Sequence, residues 1–147
     1  MSIHAVKRTA LVTYDSEQMF DLVIDVERYC EFLPWVKGAH VHEKTERDLR
    51  ATITMERAGV KQSFTTHNEM DRPDWMSLKL VEGPFKTLDG LWTFTPIGTA
   101  GTKVVLDMKF EFGNPIASLL FGKAFEQSIG ELIDAFVARA KTTYGDR

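Results

Sequence analysis

The sequence predicts an α+β fold: a curved, seven-stranded antiparallel sheet wrapped around one long C-terminal helix, with two short helices after the first strand. Three observations predict it. Residues 114–143 keep apolar side chains at three- and four-residue steps throughout, the period of one helical face. Residues 35–112 change to a period of two, punctuated at short regular intervals by turn residues, the pattern of hairpin-connected strands. The clearest strand sets Val104, Leu106, Met108, Phe110 and Phe112 against Val105, Asp107, Lys109 and Glu111, so the sheet has one covered face and one wet face. Only the final helix is long enough to cover it, and 147 residues read as a single domain, 1–147.

In chain order, residues 6–14 alternate and read as a first strand. Asp15 follows as an N-cap with Gln18 as its capping-box partner, and Tyr14 and Met19 are spaced for a hydrophobic staple. Met19, Phe20, Leu22, Val23 and Val26 supply the apolar face of the first short helix. A second short helix over 27–32 ends at Leu33, because Pro34 disfavours helical geometry in the residue before it. Six strands are then expected at 35–46, 49–57, 62–70, 75–81, 90–95 and 102–112, with turns at Glu46-Arg47-Asp48, Ala58-Gly59, Asp71-Arg72-Pro73-Asp74 and Pro96 to Gly101. Asn114 caps the last helix and Pro115 takes its first position, where a missing N–H costs nothing. Gly122 and Gly130 inside it each cost about 1 kcal/mol against alanine, so they mark close packing or a bend.

Composition narrows the functional classes. With 44% apolar and 27% charged residues this is an ordinary globular chain able to bury a core unaided. The single Cys30 rules out an internal disulfide; it reads as a core or half-buried residue. Residues 1–7 have no apolar stretch of a signal peptide, and no run reaches the length of a membrane span, so a cytoplasmic location is expected. A net charge of −3 argues against a DNA partner. His40 and His42 share a strand face with metal-ligand spacing; no third ligand is fixed by the sequence, although Glu69 or His67 on a nearby strand could supply one, and they read as solvent-facing. There is no Gly-x-Ser-x-Gly elbow, no Ser/His/acid order and no glycine-rich phosphate loop, so neither catalytic residues nor a resident cofactor is expected.

Several stretches in order, Phe20-Asp21-Leu22-Val23, Asp25 to Trp35, Val81 to Leu88, Trp92 to Pro96 and Phe110-Glu111-Phe112, resemble the coenzyme Q-binding protein and ribosome-association toxin family. That family belongs to the START-like, helix-grip superfamily, also labelled polyketide cyclase/dehydrase-like. The resemblance covers about residues 8–140. Two positions depart from the family pattern: Cys30, where proline is usual, and Val36, where cysteine is frequent. The resemblance implies a helix-grip fold and either of two functions, quinone binding or association with the large ribosomal subunit.

A curved sheet gripping a helix leaves a space near the helix end, although a filled core has the same sequence pattern. Phe32, Leu33, Pro34 and Trp35 are expected to shape one wall of a ligand cavity, and Trp92, Phe94 and Phe110 another. Phe85 and Leu88 would stand at its mouth, on a loop beginning Glu82-Gly83-Pro84, and Leu120, Phe121 and Phe125 on the helix side. Thr66, Tyr29, Asn68, Glu82 and Lys86 are the candidate polar groups. The expected ligand is a hydrophobic small molecule or lipid, with ubiquinone first, bound without chemistry. The alternative is a ribosome-associated factor using the outer lysines and arginines, although Glu43, Glu46, Asp48 and Glu56 are interleaved with them as on a solvated face. An enzyme of the cyclase or hydratase type would need a buried acid or base, and none stands out. The apolar start of the last helix, 116–121, suits transient contact with a membrane surface, which for this chain would be peripheral contact at the inner membrane.

Overall fold

The computed structural model describes residues 3–146; the single-domain reading of 1–147 and that of the N-terminal stretch include Met1, Ser2 and Arg147, which lie outside the described residues. Seven strands form one antiparallel sheet: β1 (His4–Val12), β2 (Val36–Lys44), β3 (Asp48–Arg57), β4 (Val60–Asp71), β5 (Trp75–Glu82), β6 (Phe85–Ile97) and β7 (Gly101–Phe112). Helix α1 (Ser16–Ile24) and a 3₁₀ segment (Val26–Glu31) join β1 to β2, and α2 (Pro115–Tyr144) closes the chain. The strand order is β1-β7-β6-β5-β4-β3-β2. β1 and β2 are therefore the two sheet edges, and the helical link carries the chain from one to the other. All later strands pair with their predecessors, and α2 lies on the apolar inner face.

Local chemistry sets the element ends. Asp15 accepts the Gln18 backbone N–H at 2.8 Å and Gln18 Oε1 accepts the Asp15 N–H at 3.0 Å, completing the capping box. Asn114 Oδ1 accepts the Ala117 N–H at 2.8 Å, with Pro115 opening α2. The β3–β4 connection is the two residues Ala58 and Gly59, both at positive φ (54° and 80°), as a tight hairpin matched to strand twist requires.

Three expectations change. The second short helix is 3₁₀, spanning Val26–Glu31, and it closes when the Leu33 N–H reaches the Tyr29 carbonyl at 2.8 Å. Its three-residue period puts Val26 and Tyr29 on the buried face and turns Cys30 out to solvent. The stretch expected as a loop up to Asp89 is strand: Gly83 and Pro84 make the whole reversal, the Gly113 N–H bonds the Pro84 carbonyl at 2.9 Å, and β6 starts at Phe85. Gly83 is needed there, because a Cβ on it would sit 2.7 Å from the Phe64 Cβ.

The glycines of α2 mark close approach of helix and sheet. A Cβ on Gly122 would meet the Phe112 ring at 3.3 Å, and one on Gly130 would meet the Arg8 guanidinium at 3.3 Å. The C-terminal end is pinned to the start of the chain by Tyr14 Oη donating to the Gly145 carbonyl at 2.5 Å and Tyr144 Oη to the Gln18 carbonyl at 3.0 Å. No helix among the described residues is long and apolar enough to cross a membrane.

Candidate functional site

The space between sheet and α2 is unevenly filled. Toward the N-terminal end of α2 it is solid with phenylalanine. Phe125 meets Phe85 at 4.8 Å and Phe110 at 4.9 Å between ring centroids, while Phe85 stacks on Phe112 at 5.2 Å and Phe121 lies 5.5 Å from Phe125. Against the middle of α2 packing gives way to a cavity of about 70 Å³. Its walls come from the 3₁₀ segment and the link after it (Tyr29, Leu33, Trp35, Val36), from Ile53, Met55, Phe64 and Leu78 on β3–β5, from Leu88, Trp92 and Met108 on β6–β7, and from Phe125, Ile129 and Leu132 on α2. At about 24 cal/mol per Å³ such a void costs on the order of 2 kcal/mol against a filled core.

Of the expected wall residues, Leu33, Trp35, Leu88, Trp92 and Phe125 line this cavity. Phe85, Phe110 and Phe121 belong to the filled aromatic end, so the space is not at the helix end but about a turn further along α2. Phe94 is buried between Trp92 and Phe20, under α1. Phe32 packs on Phe136 at 5.2 Å behind the cavity wall. Pro34 and Leu120 are not wall residues: Pro34 is exposed, because the chain turns outward to enter β2, and Leu120 is 61% exposed on the outer side of α2. Val36, Ile53 and Leu132 also belong to the wall. Their strand parity and helical spacing put them on the inner faces, but neither pattern gives depth along the face.

The candidate polar groups separate. Glu82 and Lys86 are exposed. Tyr29 lines the cavity and donates its hydroxyl to the Val23 carbonyl; burial, helped by the nearby Asp25, raises its pKa, so it stays a protonated donor. Thr66 and Asn68 are buried on the inner face of β4, each 3% exposed.

Two arginines tie the rim. Arg57, at the end of β3, reaches Glu131 of α2 at 2.6 Å and Ser128 at 3.2 Å, and its guanidinium stacks over Trp35 at 5.2 Å. Arg139 of α2 reaches Glu31 of the 3₁₀ segment at 2.6 Å and stacks over Phe32 at 4.9 Å. Together they hold α2 to the sheet on one side of the cavity and to the 3₁₀ segment on the other. Arg57 counts by charge among the basic residues expected on the outer face, yet it shares the inner parity of Ile53 and Met55. A cation at an inner-face position is the signal that marks it in the sequence.

The outer face of β2–β4 is polar. His42 hydrogen-bonds Thr52 at 2.7 Å, Thr52 bonds Thr65 at 2.6 Å, Thr54 bonds Ser63 at 2.8 Å and His67 meets Asp48 at 2.8 Å. Among the described residues no three His, Cys, Asp or Glu side chains converge as a metal site would need.

Known proteins are similar to this chain in sequence and in fold. A family model described as polyketide cyclase/dehydrase and lipid transport matches residues 12–137. The ribosome association toxin RatA of Vibrio cholerae is 44% identical over 141 residues, covering 96% of this chain and 98% of that one. The mitochondrial coenzyme Q-binding protein COQ10 of Drosophila melanogaster is 25% identical, covering 92% of this chain and 57% of that one. Among solved structures, the Zhui aromatase/cyclase of Streptomyces superposes with a TM-score of 0.84 at 16% identity, covering 99% and 100% of the two chains. A START superfamily protein of Mycobacterium smegmatis gives 0.77 at 21% identity, covering 95% and 98%. At those identities the structural likeness speaks for the helix-grip fold alone, while the family model and the Vibrio relative go further: this chain belongs to the polyketide cyclase/dehydrase and lipid transport family.

Proposed function

We propose that the chain, one domain over 1–147, binds a hydrophobic ligand, a polyisoprenoid quinone such as ubiquinone first among them, between sheet and α2 without transforming it. The observation that carries this is the apolar cavity left open in an otherwise packed core, lined by Trp35, Trp92 and flexible Met55, Met108 and Leu78. The coenzyme Q-binding name of the Drosophila relative supports the ligand class. At about 70 Å³ the cavity is far below the roughly 300–1,000 Å³ of a ligand-filled site, so binding requires α2 and the 3₁₀ segment to part. Each methylene then buried contributes about 0.8 kcal/mol. Ile116, Leu119 and Leu120, exposed by 68%, 83% and 61% on the first turns of α2, provide an apolar ridge for contact with the membrane that holds such a ligand. The protein would then work in the cytoplasm and at the inner-membrane surface. Among the described residues no carboxylate, imidazole or amine lines the cavity, and the hydroxyl of its one ionisable group, Tyr29, is engaged by the Val23 carbonyl, which favours binding over cyclase chemistry. The test is mass spectrometry of solvent extracts from protein purified without detergent, followed by quenching of the cavity tryptophans with added quinone. A near-stoichiometric isoprenoid, or saturable quenching, is the expected result; a clean extract with no uptake rejects the reading.

A second reading has its own support, the ribosome association named for relatives 38–44% identical over nearly the whole chain. In it the outer face of β2–β4, with Lys37, Lys44, Arg50 and Lys61, meets the large subunit. Cosedimentation with large subunits that weakens as salt rises is the expected result; protein that stays free at low salt rejects it.

A further inference from the structure

The inner face of β4 carries a polar side chain that nothing in the packing explains. Asn68 is 3% exposed, and its Oδ1 is the one buried side-chain oxygen or nitrogen among the described residues with no hydrogen-bond partner. Its Nδ2 has only a weak acceptor, the Met76 sulfur at 3.8 Å. Buried hydroxyls elsewhere are served: Ser16 donates to the Phe94 carbonyl, Thr102 to the Tyr14 carbonyl and Ser128 to the Ala124 carbonyl. An orphaned buried acceptor is costly and rare enough to call for a use.

Its surroundings point to one. Strand register sets Leu49 opposite Asn68 on β3 and Leu78 beside it on β5, between the pairs His67↔Lys79 and Met70↔Met76. Leu78 lines the cavity. Its Cδ1 leans over Gly90 of β6, so closely that a Cβ there would lie only 2.9 Å away. The missing side chain at Gly90 thus takes up Leu78 on the side away from Asn68. Asn68 does not line the cavity as it stands: Leu78, its cross-strand neighbour, separates it from the space, and on β4 Thr66 lies between Asn68 and the lining Phe64, so both polar groups follow the present wall on the same inward face.

We propose that Asn68 is the polar anchor of the bound ligand, and that the buried end of that ligand carries a hydroxyl which donates to Oδ1, as a hydroquinone or phenol would. This rests on the hydrophobic-ligand reading above and adds the chemistry of the end that enters first. The ring hydroxyl donates its proton to the orphan acceptor, which the carbonyl of an oxidised quinone could not do, while the tail stays among the methionine, leucine and isoleucine walls.

The test compares two probes that differ only in their oxygens, 2-hexylhydroquinone and hexylbenzene, titrated calorimetrically into the whole chain and into Asn68→Leu. The variant is expected to lose about tenfold in affinity for the hydroquinone, to bind hexylbenzene within twofold of wild type, and to melt at a higher temperature, since an unsatisfied acceptor is gone. Asn68→Ser, which keeps an oxygen, should lose less than Asn68→Leu and guards against a folding artefact. Equal losses for both probes, or no loss for either, overturn the anchor while leaving the cavity reading standing. A wild-type chain that binds neither probe overturns both.

Discussion

The two ends of the grip make opposite use of the same sheet and helix. At one end Phe85, Phe110, Phe112, Phe121 and Phe125 interlock in edge-to-face, tilted and stacked pairs, with ring centroids 4.8–6.4 Å apart. One helical turn on, Ile129 and Leu132 face Leu78, Met55 and Met108 across a void of about 70 Å³. Planar rings lock each other in place and leave no alternative packing. The hollow end also has rings, among them Trp35 and Trp92, but its unbranched methionines, Met55 and Met108, have rotamers to spare, so that end can change volume at modest cost. The difference teaches that stability and adaptability are divided along α2, and that the rim arginines stand at the adaptable end.

The sharpest way to break this division is to empty the solid end. Phe110→Ala should cost about 3–5 kcal/mol in urea denaturation, as for a fully buried aromatic ring. A loss below about 1.5 kcal/mol would mean that this end is not rigid. The next is to trim the hollow end: Leu78→Ala, beside an existing void, should cost about 2 kcal/mol, the low end of the range for leucine truncation. A cost equal to that of Phe110→Ala would erase the contrast. Filling it is subtler. Gly90→Ala places a Cβ 2.9 Å from Leu78 Cδ1, the end of a flexible side chain, and 3.2 Å from Met108 Cγ, part-way along another. It should change stability by less than about 1 kcal/mol and yet reduce uptake of added quinone severalfold, measured by quenching of Trp35 and Trp92. Unchanged uptake would separate the cavity from ligand binding.

Releasing the rim should cost least. Glu131 is half exposed, so the Arg57–Glu131 pair contributes no more than about 1 kcal/mol to stability. Glu131→Gln should leave the melting temperature nearly unchanged while raising acrylamide quenching of the cavity tryptophans. Added salt should raise that quenching in the wild-type chain and do little in the variant. A variant no more accessible than wild type would show that the arginine merely decorates a closed rim.

Much of this was legible in the chain. Residues 104–112 and 114–143 declare a one-sided strand and an amphipathic helix by period alone, and Asp15-Gln18, Asn114-Pro115 and Ala58-Gly59 declare where elements begin and turn. The legible part was local because caps, turns and periodicity act between residues within about four positions of each other. Asn68, Thr66 and Arg57 were legible in a weaker way, as polar residues at positions whose parity faces inward.

The sequence by itself determined the order of elements, the faces of the sheet, the capped limits of both α-helices and the family to which the chain belongs. Only the tertiary structure decided that Phe85 and Phe121 fill space while Ile53 and Leu132 border it, that Cys30 faces out, and that Arg57 closes onto α2. The physical reason is that alternation assigns a face but not a depth. Whether an inward side chain meets a partner or a void depends on sheet curvature and on the height at which α2 crosses it, and those are set by contacts between residues far apart in the chain.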